Sequence, residues 1–192
     1  MTRINATHLE KIPPFPDDAD RHTIHIVVET PRDIRHKFAF DPEFGIFKLR
    51  QTIAEGLEWP YDYGFVPQTL GDDGDPLDVL FLCDEPTFPG CLVEGRLLGV
   101  IRLDKNEERN DRLVACAKRM DGISQSTDGY DDIDDVPKES IDSLCRFLIE
   151  YSAEQGNTMK FRGVQSRKKA VAAIKAGMKK FKKTKRTRGA RR

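Results

Sequence analysis

VLFLCDEPTFPGCLVEGRLLGVIRLDKNEERNDRLVACA, residues 79–117, is the stretch whose reading decides the fold class. It holds four short apolar runs, Val79–Cys83, Cys91–Glu94, Leu97–Leu103 and Arg112–Ala117, and Pro89-Gly90 marks a turn between the first two. Short runs with a turn signal roughly every ten residues predict a mainly β domain, a barrel or a sandwich. Upstream, Thr23–Thr30 is β-branched and bounded by Pro31. Lys37–Phe40 and Phe44–Leu49 add two strands around the turn Asp41-Pro42-Glu43. WPYDYGFVPQTLGDDG, residues 59–74, mixes aromatics, Pro and Gly and reads as a winding segment without regular structure. Residues 1–21, with Pro13, Pro14 and Pro16, read as an irregular arm.

Helical periodicity comes late. Ile141, Leu144, Cys145, Leu148 and Tyr151 recur at three- and four-residue steps between Pro137 and Glu154, with Gly156 just past the end. A second helix is expected over Ser166–Met178, with Val171, Ile174 and Met178 as a narrow stripe that dissolves into KKFKKTKRTRGARR. Residues 1–160 are therefore expected as the β domain and 161–192 as a basic helix and tail.

The 192 residues suit one domain with a sizeable core. Mean hydropathy is −0.57, and no apolar run is long enough to cross a bilayer. The opening MTRINATHLEKIPPF lacks an apolar targeting core, and Cys83, Cys91, Cys116 and Cys145 show no close paired spacing. A cytoplasmic setting with buried, inert thiols is expected. The formal net charge of zero conceals an asymmetry: residues 1–154 hold 17 basic and 32 acidic residues, and residues 155–192 hold 15 basic and none acidic. The acidic body repels polyanions unless divalent cations mediate, and the tail attracts them.

The chemistry concentrates in Gly71-Asp72-Asp73-Gly74-Asp75-Pro76-Leu77-Asp78-Val79. Crowded carboxylates raise one another's pKa unless a cation neutralises them, and oxygen-only donors suit hard ions such as Mg²⁺ or Mn²⁺. The bland reading is a solvated acidic turn before a strand. The twelve-residue calcium loop ending in Glu does not fit.

DGDPLDV (Asp73–Val79), within YDYGFVPQTLGDDGDPLDVLFL and together with PTFPG (Pro86–Gly90) and LLGVIRL (Leu97–Leu103), resembles the family I soluble inorganic pyrophosphatases from about Ile24 to Glu154. The resemblance implies an OB-like closed five-stranded β-barrel with flanking helices, Mg²⁺-dependent hydrolysis of pyrophosphate to two phosphates, and a homo-oligomer, hexameric in bacterial members. It assigns Asp73 and Asp78 as metal ligands, Asp75 as the base on the nucleophilic water, and Glu29 to the metal and water network. Lys37, Tyr63, Tyr151 and Arg112 match phosphate-contacting positions, Arg112 standing where a Lys is usual. Each has a bland alternative: an edge charge for Glu29, a solvated Lys37, aromatic packing for the two tyrosines.

The chain departs from the pattern at Ala39 (for Glu), Gln51 (for Arg, with Arg50 one place earlier), Trp59 (for Tyr), Lys105 and Asn110 (for metal-ligand Asp) and Ser152 (for Lys). Asp104 and Asp111 sit one residue from the two lost carboxylates. Residues 104–111 read as a loop, where such neighbours can substitute as metal ligands; in a strand the same displacement reverses the side chain. Two other functions stay open. One is hydrolysis of another phosphoanhydride with a bulkier group admitted by Ala39, Gln51 and Ser152. The other is a catalytically impaired scaffold whose tail binds nucleic acid or polyphosphate weakly and salt-dependently.

Overall fold

The computed structural model describes residues 9, 11–17, 21–118 and 125–189, the last four by backbone alone. In chain order the described residues form β1 (Thr23–Thr30), β2 (His36–Asp41), β3 (Ile46–Thr52), β4 (Asp62–Val66), β5 (Leu77–Leu82), β6 (Leu92–Lys105), β7 (Glu108–Arg109), β8 (Arg112–Ala117), α1 (Lys138–Glu154), β9 (Met159–Ser166) and α2 (Arg167–Gly189). Residues 1–8, 10 and 18–20 of the expected arm and 190–192 of the tail lie outside the described residues.

Five strands close into a ring. β1 pairs with β4, β4 with β5, β5 with β8, β8 with β6, and β6 returns to β1. Every pairing is antiparallel except β5 with β8. The ring is the mainly β, OB-like architecture implied by the resemblance. Alternation along the strands sorts the core into two sets. Ile24, Ile26, Val66, Val79, Phe81, Leu97, Leu113 and Ala115 come from all five ring strands and fill the interior, where Ala170 and Ile174 of α2 join them. Leu80, Leu82, Leu98, Val114 and Cys116 point outward and pack against Ile141, Leu144, Cys145 and Leu148 of α1.

Several expectations are corrected. The segment 59–74 contains β4, with all five residues buried; Gly64 disguises it, yet is required there because an added Cβ would meet the Val27 carbonyl oxygen at 2.2 Å. Cys91–Glu94 and Leu97–Leu103 are one fourteen-residue strand, β6. Gly95 is no break: a Cβ there would lie 2.7 Å from Ile26 Cδ1 and 3.2 Å from Ala115 Cβ, so the glycine serves close packing inside the ring. Residues 104–111 are not an open loop but the β6–β7 hairpin, turning at Asn106 and Glu107 with φ of +50° and +71°. β9 has no counterpart in the sequence reading because its residues MKFRGVQS are mostly exposed and carry no apolar alternation. The boundary at 160/161 falls inside it, and α2 runs well beyond Met178.

None of the four cysteines is in a disulfide; Cys83, Cys116 and Cys145 are buried, and burial pushes the Cys83 thiol up to about 12. Among the described residues no helix is long and apolar enough to cross a membrane.

Gly64→Ala forces a methyl group onto the immovable β1 backbone. It is expected to cost about 2–3 kcal/mol, read as a lower midpoint in urea unfolding; an unchanged midpoint would show that the two strands can separate at that point.

Candidate active site

The parallel pairing of β5 with β8 sets Val79 opposite Leu113, so the preceding residues, Asp78 and Arg112, lie side by side. Arg112 Nη1 is 3.0 Å from Asp78 Oδ2. Arg112 is 9% exposed; burial works against its charge, but Asp78 and the neighbouring acids more than offset this and hold it ionised. It also donates to Asn110 Oδ1 at 2.6 Å and to the Asn110 and Asp111 carbonyls at 2.9 and 3.1 Å. Tyr63, on β4, lies with its ring centroid 5.8 Å from the guanidinium carbon. Burial, and then the Asp78 charge and a hydrogen bond to Asp78, hold its phenol well above the usual range.

Asp78 opens β5, and the loop before it carries the remaining carboxylates. Gly71 N–H donates to the Asp75 carbonyl at 2.7 Å, and Asp75 N–H to Asp73 Oδ1 at 3.1 Å, closing a tight turn that Gly74 permits with φ of +91°. Asn110 Nδ2 reaches Asp73 Oδ2 at 3.4 Å. Asn110 therefore links Arg112 to the acidic loop. Partial burial, then the charges of Asp73 and Asp78, raise Asp75.

Glu29, on β1, accepts from Phe40 N–H at 2.7 Å. Burial pushes it up to about 7, with Asp78 and Asp75 adding to the rise and the Phe40 bond and Lys37 opposing it. Lys37 donates to Tyr151 Oη at 2.8 Å, Gln51 Nε2 approaches the same oxygen at 3.4 Å, and the ammonium lies 5.1 Å from the Tyr151 ring centroid. Trp59 packs against Tyr63, Phe147 and Tyr151 in tilted or edge-on contacts with ring centroids 5.2 Å apart in each. Lys37, Tyr63, Lys105, Arg112, Tyr151 and Ser152 line one cavity of about 70 Å³.

Thus Glu29, Asp73, Asp75, Asp78, Lys37, Tyr63, Tyr151 and Arg112 gather at one end of the ring. Among the described residues, no three His, Cys, Asp or Glu side chains converge closely enough to hold a metal ion as they stand.

The neighbours considered as replacements are engaged elsewhere. Asp104 accepts from Arg162 Nε at 2.7 Å. Asp111 borders a groove beside Asp73 and Asp78, but it accepts from Leu103 N–H at 3.2 Å, Arg102 Nε at 3.0 Å and Arg109 Nε at 2.5 Å. Arg50 occupies the bulge opposite Lys37 and Phe38 and stays exposed, leaving Gln51 to reach Tyr151. Ala39 pairs with Lys48 across the β2–β3 hairpin.

One neighbour of the site escaped the sequence reading. Lys180 of α2 makes an ion pair with Asp72, and Leu70 N–H donates to the Gly177 carbonyl at 3.2 Å. Lys180 is hidden among the tail's many basic residues, and nothing in the sequence pattern sets it apart from them.

The sequence model of the family Pyrophosphatase, described as inorganic pyrophosphatase, matches residues 26–182, and so reaches through most of the basic helix. The inorganic pyrophosphatase of Haloferax volcanii is 32% identical over 171 residues, covering 88% of this chain and 92% of that one. The Thermus thermophilus inorganic pyrophosphatase is 32% identical over 168 residues, covering 86% and 94%. Its crystal structure superposes with a TM-score of 0.80 over 90% of this chain and 98% of that one; the Neisseria gonorrhoeae structure gives 0.81 at 26% identity over 91% and 98%. With that similarity spanning both the ring and α2, the chain belongs to the inorganic pyrophosphatase family.

Proposed function

We propose that the protein hydrolyses inorganic pyrophosphate to two phosphates with a divalent cation, Mg²⁺ or Mn²⁺, at the Asp73–Asp78 end of the ring. The observation that carries this reading is the junction of unlike charges there: Asp78 clamped to Arg112, with Asp75 and Glu29 raised partly by their acidic neighbours. Carboxylates that repel one another and carry only oxygen donors fit a hard cation. In donor chemistry, though not in their present spacing, the fit covers Glu29, Asp73, Asp75 and Asp78. It does not extend to Lys105 and Asn110.

A cation held by these carboxylates would lower the pKa of a coordinated water and neutralise phosphate oxygens. Asp75, raised and beside Asp73 and Asp78, takes the proton as the water oxygen bonds to phosphorus. The bond from that phosphorus to the bridging oxygen breaks, and the bridging oxygen leaves with the second phosphate. Tyr63, hydrogen-bonded to Asp78 and raised by burial, stays protonated at neutral pH and brings no negative charge against a phosphate oxygen. Arg112 and Lys37 supply fixed positive charge, Lys37 positioned by Tyr151. On the same footing we assign a cytoplasmic homo-oligomer, hexameric by resemblance; exposed Phe44, Ile46, Leu49 and Phe88 offer apolar surface for another copy.

Phosphate release from pyrophosphate should require Mg²⁺, stop with a chelator, and fall about 10²–10⁴-fold in Asp75→Asn. Equal release by the variant would reject Asp75 as the base. Glu29 gives a pH test on the metal-free protein. Its folded value, about 7 against the ordinary 4.5, means that the native state keeps a proton the unfolded chain has released. Glu29's contribution to stability is therefore fully present below about pH 4.5 and is lost as pH rises through about 7. Glu29→Gln removes that loss and should be more stable than the parent near pH 8, by roughly 1–2 kcal/mol, and equally stable near pH 4, by denaturant unfolding in chelator.

A further inference from the structure

α2 carries a row of charge that the candidate active site does not use. Lys168, Lys175, Lys179 and Lys182 recur at steps of seven, four and three residues, each of which returns a helix to the same face. The row runs for about 21 Å of helix, and all four side chains are exposed. None of them makes a hydrogen bond or an ion pair with any described residue. No acidic residue follows Glu154, so the helix has no counter-charge of its own to offer them, and like charges three and four residues apart repel. Beside the start of the row, a groove of about 530 Å³ is lined by Arg21, His22, Arg167, Lys168 and Lys175, with Asp132 as its one acid. The Asp132 carboxylate is engaged with the backbone, accepting from Ile133 N–H at 2.8 Å and Arg167 N–H at 3.4 Å. Arg21, from the segment before β1, thus extends the basic surface that α2 begins.

The surroundings of the row narrow what it can recognise. Ala170 and Ile174, on the apolar face of α2, are buried inside the ring, so the exposed face lacks the apolar stripe that a helix lying on a membrane inserts. A protein partner would want an apolar centre with few lysines, but only Ala172 and Ala176 stand exposed beside the row. Phe181, the one aromatic residue of α2, is half-buried and off the row, so unpaired bases have nothing there to stack on. A straight line of fixed ammonium groups suits a duplex, whose phosphates also follow one another along a line. We propose that this face of α2 binds the phosphate backbone of double-stranded nucleic acid without reading its sequence. Since α2 is docked on the body through Ala170, Ile174 and the Gly177 carbonyl, the row is in place before the duplex arrives. Less order is then lost on binding than a disordered basic tail would lose. The inference does not depend on the hydrolytic reading.

The test is fluorescence anisotropy of a labelled DNA duplex of about two helical turns, titrated with the full chain at several NaCl concentrations. Divalent cations, which could bridge the duplex to the acidic body, are left out. Binding should saturate, ignore sequence, and weaken about a hundredfold for roughly a fourfold rise in salt, the dependence expected of about four phosphates. The combined variant Lys168→Gln/Lys175→Gln/Lys179→Gln/Lys182→Gln should lose at least about tenfold in affinity, with a salt slope flatter by about one per lysine. The same four positions changed to Arg should bind within about threefold of the parent. Lys11→Gln/Lys138→Gln/Lys160→Gln, which removes exposed charge elsewhere, should bind as the parent does. No saturable binding by the parent, an unchanged slope in the four-Gln variant, or an equal loss in the three-Gln variant overturns the proposal. Binding to phosphatidylserine vesicles or linear polyphosphate without binding to the duplex overturns it too. So does a lower sedimentation coefficient of the four-Gln variant with duplex binding intact, which would make the row a contact between copies. Circular dichroism checks that each variant is folded, and the parent titration decides even where one is not. Pyrophosphate hydrolysis with Mg²⁺ is assayed on the same preparations. Duplex binding without hydrolysis rejects the proposed function and leaves the surface; hydrolysis without duplex binding rejects the surface alone.

Discussion

The parallel contact between β5 and β8 is the constraint on which the site depends. In a ring otherwise antiparallel, it makes two strands begin at the same end, so the loops entering them meet there. Asp78 and Arg112 stand immediately before the paired residues Val79 and Leu113, and the register alone makes them neighbours. From that ion pair the network runs to Asn110 and Asp73 on one side and to Tyr63 on the other. A one-residue slip of β8 would turn Arg112 to the opposite face and replace a clamp with a loose acidic loop.

The sequence carried the mainly β class, helix α1 and the acidic loop, because each announces itself locally. Periodicity exposes a half-buried helix, and Gly, Pro and Asp crowded together announce a turn. It could not carry β4, whose glycine and aromatics look like loop until β1 is known to lie against it. Nor could it carry β9, an exposed strand whose pairing with β6 is its reason to exist. At the candidate site, Asp73, Asp75, Asp78, Lys37, Tyr63, Tyr151 and Arg112 were singled out through the resemblance, and the fold brings them to one end of the ring. The fate of Asp104 and Asp111 was not legible, because it depends on Arg162, Arg102 and Arg109, and the partners of a surface carboxylate leave no periodic trace.

Two of the departures have definite structural outcomes. Asn110, which has no charge, bonds Arg112 and Asp73 at once, so the position still organises the acidic loop. Lys105 brings an ammonium to the cavity wall opposite in sign to a carboxylate ligand. Together they shift the balance of this end of the ring from acidic toward basic.

The position of α2 bears on when the protein becomes competent. All five ring strands precede it in the chain, yet Ala170 and Ile174 occupy the ring's interior, and Gly177 and Lys180 hold the loop at Leu70 and Asp72. During synthesis, which delivers the chain from its amino end, the strands can pair before the residues that complete the interior have left the ribosome. The acidic loop receives its tether last. A truncated product could thus build the ring while leaving that loop untied, and the order of the chain itself separates folding of the scaffold from maturation of the site.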